Sequence, residues 1–336
     1  MKKLVFLSLS LCLLLCSAAT AQDYTVYNEL GSDGVFMSRN DDSGFGGLYD
    51  VVSGLIHYNK FSVQAQYKLK LGDGFDSYDF YGEMQKANVW FRPISALEIA
   101  VGNHFYQALP SSYFMVYNEY SPNGWYGKEK LGATLSINPV TVGLNIPQMH
   151  LGDNFSMKLN VGLNIAIAND FNIGAAYKME TESLGIFLNF GNQEDLYIGG
   201  GYTFNGIPLL WERTENNHLV DFTILYNMGR TYFGGDLELS FSDEKDTPFY
   251  IGGLFGIALN SNIEVKVDAK WNVLFREDDN LNNPWKLTIH PRLVFSSGNH
   301  ELIGGIKFEN VLGPAAKDDG KVDSNFYIPV SWKYTF

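Results

Sequence analysis

A strict alternation of apolar and polar side chains is the feature that most constrains how this chain folds. Between Ile263 and Phe275 nearly every second residue is apolar, and the residues between them are mainly Glu, Lys, Asp and Asn. Successive side chains of a β-strand point to opposite faces, so this pattern predicts a strand with one apolar and one charged face. The same alternation recurs in residues 61–69 and 155–167.

These alternating runs are too long for an ordinary soluble sheet. Strands of soluble proteins average about five or six residues, whereas a tilted strand that crosses a membrane needs about 9 to 11. No segment after the first residues approaches the roughly 18 continuous apolar residues of a transmembrane helix, which argues against a helical inner-membrane protein. Length and alternation together predict an all-β fold, a closed antiparallel transmembrane β-barrel.

The connections between the strands alternate in length, as outer-membrane barrels require. The short ones carry Asn, Asp, Gly and Pro, the residues of tight turns. They fall at Tyr58-Asn59-Lys60, Arg92-Pro93-Ile94, Asn138-Pro139, Asn169-Asp170, Gly191-Asn192-Gln193, Asn227-Met228-Gly229, Asn260-Ser261-Asn262 and Ser297-Gly298-Asn299.

Longer polar segments lie between these turns, near residues 39–46, 72–78, 107–125, 148–153, 180–183, 205–217, 242–247, 276–284 and 312–323. Eight turns and nine loops give about 18 strands. With this even number, both chain termini lie on the side of the short turns, which is the periplasmic side. A first strand near Asp33 to Ser38 alternates poorly, so 16 strands is the alternative. A barrel of this size encloses an aqueous channel.

The first 21 residues have the features of a secretory signal peptide. Lys2 and Lys3 precede an apolar run from Leu4 to Leu15, and Ala19-Thr20-Ala21 provides a cleavage site. The alternative is lipidation at Cys16, although Leu15 is a large residue for the position before a lipidated cysteine. Both cysteines lie in this segment, so the barrel, residues 22–336, has no thiol for catalysis or metal binding.

The charge pattern argues against nucleic-acid binding and for a hydrated channel. The net charge of -13 repels a phosphate backbone. If the polar face of each strand lines the lumen, cations outnumber acids there. This indicates a mildly cationic pore for small polar solutes that slightly favours anions, or a mixed-sign interior that only keeps the pore wet. The pore-lining cations would be Lys68, Lys70, Lys86, Arg92, Lys158, Lys178, Lys266, Lys270, Arg276, Lys286, Arg292, Lys307 and Lys333, and the acids Glu98, Glu180, Asp221, Asp236, Glu238, Glu264, Asp268, Glu301 and Glu309.

The last strand, Phe326 to Phe336, ends with apolar or aromatic residues at every second position. Trp332, Tyr334 and Phe336 resemble the C-terminal assembly signal of bacterial outer-membrane proteins. Together with the leader and the strand pattern, this ending makes the chain similar to a porin-like outer-membrane β-barrel. The resemblance implies a bacterial outer-membrane location, with membrane lipid and the barrel-assembly machinery as partners. It does not indicate a subfamily or an oligomeric state.

The longest loop, Gln107 to Trp125, is the third external loop in this count. General porins fold their third loop inward to narrow the channel, so the resemblance implies a constriction here. The content differs, because aromatic residues dominate and only one acid is present. The possible constriction residues are Tyr113, Phe114, Tyr117, Glu119 and Tyr120.

Aromatic residues near strand ends are expected to form girdles at the two membrane interfaces. The candidates are Tyr24, Tyr126, Tyr177, Tyr197, Tyr226, Trp285 and Tyr334.

The sequence has no recognisable catalytic, metal-binding or cofactor-binding motif. Its histidines are scattered, no H-x-x-x-H or H-E-x-x-H pair is present, and no glycine-rich phosphate loop appears. We therefore expect a channel that is not an enzyme and has no cofactor. The alternatives are a surface-exposed structural or adhesin barrel and, less favoured, an enzyme embedded in a barrel.

Overall fold

The structure is a computed structural model that describes residues 23–32, 34–38, 43–45, 47–71, 80–102, 113–114, 119–120, 131–150, 156–179, 181–206, 217–241, 247–275, 284–312 and 323–336. The proposed signal peptide and Arg276 lie outside these residues. Within them, no helix is long and apolar enough to cross a membrane.

The described residues form 24 β-strand segments. The first twelve are β1 (Asp23–Ser32), β2 (Val35–Ser38), β3 (Ser43–Phe45), β4 (Leu48–Tyr58), β5 (Phe61–Leu71), β6 (Phe80–Ile94), β7 (Leu97–Gly102), β8 (Tyr113–Phe114), β9 (Glu119–Tyr120), β10 (Leu131–Ile137), β11 (Val140–His150) and β12 (Ser156–Ala168). The others are β13 (Phe171–Lys178), β14 (Ser183–Gly191), β15 (Leu196–Phe204), β16 (His218–Met228), β17 (Thr231–Phe241), β18 (Thr247–Ala258), β19 (Ile263–Phe275), β20 (Trp285–Ser297), β21 (His300–Gly305), β22 (Lys307–Leu312), β23 (Asp323–Tyr327) and β24 (Val330–Thr335).

All segments except β8 and β9 belong to one antiparallel sheet that closes on itself. Strand β1 pairs with both β4 and β24, and β2 pairs with both β3 and β23, so the first strand meets the last. Four strands are each interrupted once, at β1–β2, β3–β4, β21–β22 and β23–β24. The 22 segments therefore form 18 strands, which confirms the predicted barrel and its higher strand count.

The interruption in the first strand has a local cause. Gly34 adopts a φ of 85°, a conformation that favours glycine. A Cβ at this position would also overlap the backbone carbonyl of Ile328. The first strand therefore stops at Ser32 and resumes at Val35 after the break. Its described part starts at Asp23, ten residues before the position near Asp33 that the sequence indicated.

The eight short turns are present, with one shifted along the chain. Strand β6 continues through the predicted turn at Arg92-Pro93-Ile94, because the Arg92 amide donates to the Lys60 carbonyl at 2.8 Å. The reversal occurs at Ser95 and Ala96 instead. Tyr27, near the start of β1, lies opposite Thr335 at the end of β24 and opposite Ser53 in β4, which ends at a short turn. The first strand therefore begins, and β24 ends, on the side of these turns.

The two faces of the wall are the reverse of those in a soluble barrel. Large apolar side chains such as Leu163, Ile186 and Phe222 are exposed on the outer face. Asn, Ser, Thr, Asp and Glu account for the buried polar residues of the inner face. An apolar exterior around a polar interior is the arrangement that a hydrocarbon environment stabilises.

This inside-out arrangement predicts opposite outcomes for two neighbouring substitutions in the middle of β12. Leu163 lies on the outer face, beside Val142 and Ala175, and Asn164 lies on the inner face, beside Thr141 and Gly174. Leu163→Arg should lower the free energy of unfolding by about 2 to 4 kcal/mol at the bilayer midplane, whereas Asn164→Arg should leave it nearly unchanged. Urea titration in lipid vesicles measures both. A larger loss for Asn164→Arg would reverse the assignment of the two faces.

Candidate functional site

The strand register places the predicted charged residues along the inner face of the barrel. Lys266 lies opposite Gly256 and Arg292, and Lys68 lies opposite Val51 and Glu83. The side chains that share this face are Lys68, Lys70, Lys86, Arg92, Lys158, Lys178, Glu264, Lys266, Asp268, Lys270, Lys286, Arg292, Lys307 and Lys333.

Simple alternation in the sequence does not identify Glu29 and Glu83 as inner-face acids. Glu29 lies opposite Lys333 on the first strand, whose alternation is poor in the sequence. Glu83 lies opposite Lys68. A β-bulge at Gln85 places Glu83 and Lys86 on the same face although they are three residues apart, and simple alternation cannot anticipate such a shift.

Five ion pairs are described on the inner wall, and they share one feature. In each pair the cation is more exposed than the acid. Lys286 has 44% of its side chain exposed, whereas its partner Glu309 has 10%. Arg292 likewise covers Asp268. The five pairs are Arg92–Glu98, Lys266–Glu264, Lys286–Glu309, Lys307–Glu309 and Arg292–Asp268.

A second group of acids is withdrawn from the lumen on β16 and β17. Asp221, Asp236 and Glu238 are each at most 3% exposed. Asp221 lies opposite Glu238, and Thr223 lies opposite Asp236 and donates its hydroxyl hydrogen to that carboxylate at 2.6 Å. A solute in the water-filled space therefore contacts the exposed lysines and not these carboxylates.

One predicted interface residue belongs to the inner wall instead. Tyr197 is 8% exposed, and its hydroxyl donates to Asn189 Oδ1 at 3.0 Å. Its ring lies against Gly199, where a side chain would overlap its hydroxyl. The girdle assignment of Tyr197 is therefore wrong, because its position near a strand end does not determine which face it occupies. Tyr24, Tyr177 and Tyr226 are exposed on the outer face, and Tyr126 lies outside the described residues.

The predicted constriction loop is only partly within the described residues. Strands β8 and β9 form a small separate hairpin in which Tyr113 lies opposite Tyr120 and Phe114 lies opposite Glu119. Tyr117 lies outside the described residues. The constriction stays a prediction.

The described histidines are not brought together into one site. His57 contacts Ser62, His218 contacts Tyr202, and His300 accepts from Trp332. Among the residues that the structure describes, no group of three metal-ligating side chains is found.

The aromatic residues at the end of the chain form a row at the seam of the barrel. The Phe336 amide donates to the Val26 carbonyl at 2.8 Å, which joins the end of the chain to β1. The Phe336 ring packs edge-on against Tyr334, with 4.7 Å between the ring centres. The His300 ring contacts both Trp332 and Tyr334. The row therefore links the last strand to both of its neighbours.

Comparison with known proteins shows the fold and no closer relationship. No protein-family model matches the sequence, and no curated protein matches it. The chain is similar in structure to OccK5 (OpdH) of Pseudomonas aeruginosa, with a TM-score of 0.61 at 10% identity over 94% of this chain and 99% of that one. It is also similar to a BenF-like porin of Pseudomonas fluorescens, with a TM-score of 0.60 at 11% identity over 94% and 100%. OccK2 (OpdF) of Pseudomonas aeruginosa, solved in complex with glucuronate, gives 0.59 at 10% identity over 94% and 99%.

The seam predicts that removing the last residue impairs closure of the barrel. Deletion of Phe336 removes the hydrogen bond to Val26 and the ring packed on Tyr334. We expect a lower yield of folded barrel in the membrane, measured as the fraction that shifts mobility on heating before electrophoresis. Substitution of Phe241 serves as the control, because this exposed residue ends β17 at the side of the barrel opposite the short turns. Equal yields for the two variants would contradict an assembly role for Phe336.

Proposed function

We propose that this protein is an outer-membrane pore through which small polar solutes diffuse passively, with a preference for anions. The observation that carries the proposal is the unequal exposure of the charges on the inner wall. Lysine and arginine side chains extend into the accessible space, while their acidic partners lie against the wall. The accessible part of the lumen is therefore more positive than the ratio of basic to acidic residues implies.

The architecture supports transport across an outer membrane. An 18-stranded barrel leaves room for an aqueous channel, unlike an eight-stranded barrel filled by its own side chains. The apolar outer face suits membrane lipid, and the proposed signal peptide at residues 1–21 would direct the chain out of the cytoplasm. Insertion by the barrel-assembly machinery is part of the same proposal.

The solved neighbours are compatible with this choice of solute. OccK2 was crystallised with glucuronate, a sugar that carries a carboxylate. We transfer to this chain only the chemical class, small hydrophilic anions, because the exposed lysines provide the complementary charge. The scattered histidines favour a channel over an enzyme.

The proposal predicts how charge removal changes ion selectivity. Replacing both Lys286 and Lys307 by glutamine leaves Glu309 without its two described cations. The reversal potential in a salt gradient across a planar bilayer should move toward cation preference. Lys60→Gln is the control and should leave the potential unchanged, because Lys60 lies at a short turn, where its ammonium donates to the Pro93 carbonyl at 2.7 Å.

Two outcomes of this experiment contradict the proposal in different ways. If the folded wild-type barrel does not conduct, the proposal that it is a pore is wrong, and a structural or adhesin barrel becomes the better explanation. If it conducts but the double substitution has no more effect than Lys60→Gln, the anion preference does not come from this part of the wall.

A further inference from the structure

Two places on the inner wall each bring together a glycine, a tyrosine, a lysine and a glutamate. We call each a lysine clamp. The upper clamp is the one farther from the short turns, and in it Tyr49 on β4 lies opposite Gly31 on β1. The Lys68 ammonium lies 4.7 Å from the centre of the Tyr49 ring. The Tyr49 hydroxyl donates to Glu29 Oε1 at 3.1 Å.

The lower clamp is built from three other strands, close to the short turns. Tyr232 on β17, Gly256 on β18 and Lys266 on β19 are direct register neighbours. The Lys266 ammonium lies 5.9 Å from the centre of the Tyr232 ring and 3.1 Å from the Glu264 carboxylate. Glu264 also lies beside the Tyr232 hydroxyl.

The two glycines are explained by space and not by backbone conformation. Neither Gly31 nor Gly256 has a positive φ, so other residues can adopt the same backbone. A Cβ at Gly31 would overlap the Tyr49 ring, and a Cβ at Gly256 would overlap the Tyr232 ring. Each glycine therefore leaves a depression in which a tyrosine ring lies flat against the wall.

The flat ring has two consequences for the lumen. It keeps a large side chain out of the channel, because the ring lies over backbone instead of projecting inward. It also holds the lysine, since an ammonium near the face of a tyrosine ring is attracted by the electrons of the ring. In the lower clamp Glu264 further restricts Lys266, a side chain that otherwise has many rotamers.

We propose that the two clamps are positioning elements that set the width of the pore and fix the location of two lysine charges in it. Gly31 and Gly256 act through the tyrosines, and the tyrosines act through Lys68 and Lys266. The inference rests on the proposed pore function. The inference goes beyond that function in two ways. The glycines keep the conductance high by leaving room for the tyrosine rings, and the tyrosines contribute to the anion preference by holding the lysines.

The decisive comparison uses two glycines of the same strand. Gly256→Ala should push the Tyr232 ring into the lumen and reduce single-channel conductance. Gly253→Ala is the matched control, because Gly253 faces outward and a Cβ there meets nothing within 4 Å. Its conductance should equal that of the wild type. Heat-dependent gel mobility confirms that each variant is folded before it is measured.

A rescue separates positioning from general damage to the barrel. In Gly256→Ala combined with Tyr232→Ala the obstructing ring is gone, so conductance should return while the anion preference stays below that of the wild type. Tyr232→Ala alone introduces no overlap and should likewise lose anion preference without losing conductance. This variant tests the clamp even if Gly256→Ala does not fold.

Three results would overturn the inference while leaving the pore intact. One is equal conductance of Gly256→Ala and Gly253→Ala, another is a double variant that does not regain conductance, and the third is an unchanged reversal potential in Tyr232→Ala. Absence of conductance in the wild type would instead overturn the proposed function on which the inference rests.

Discussion

The structure depends on the need to pair every backbone N–H and C=O group where no water is available. In a hydrocarbon environment each unpaired group is strongly unfavourable, so a sheet is stable only if it has no free edge. Here the edge is removed by the pairing of β1 with β24 and of β2 with β23. The other features of the wall follow from this closure, because a closed sheet has one face toward lipid and one face toward the lumen.

The sequence predicted the features that follow directly from alternation and turn chemistry. The strand count and seven of the eight reversals are readable because most strands repeat the same pattern and these seven turns carry Asn, Gly, Asp or Pro. Local irregularities were not readable. The bulge at Gln85 is visible only in the register with β5, where Gln66 faces Lys86 and Tyr67 faces Met84. The break at Gly34 depends on the close approach of Ile328 from the neighbouring strand.

The candidate site shows the same division between what a sequence specifies and what it leaves open. Alternation is enough to propose that Lys266 and Asp268 share a face, as the register places them. It does not show that Asp268 is covered by Arg292, or that Tyr197 packs on Gly199 inside the barrel. Burial and packing depend on residues from adjacent strands, and their register is fixed only when the whole barrel closes.

The sign of the lumen follows from side-chain length as much as from the number of charges. Lysine and arginine carry their charge at the end of a long flexible stem, whereas the carboxylates of Asp and Glu stay nearer the backbone. On a concave wall, the long side chains therefore extend into the water and the short ones remain between strands, where cross-strand hydroxyls such as Thr223 reach them. In the five described ion pairs, the wall therefore exposes the cation more than the acid. In the proposed clamps a tyrosine ring seated on glycine holds a lysine, so the same contacts would determine both the width of the channel and its charge.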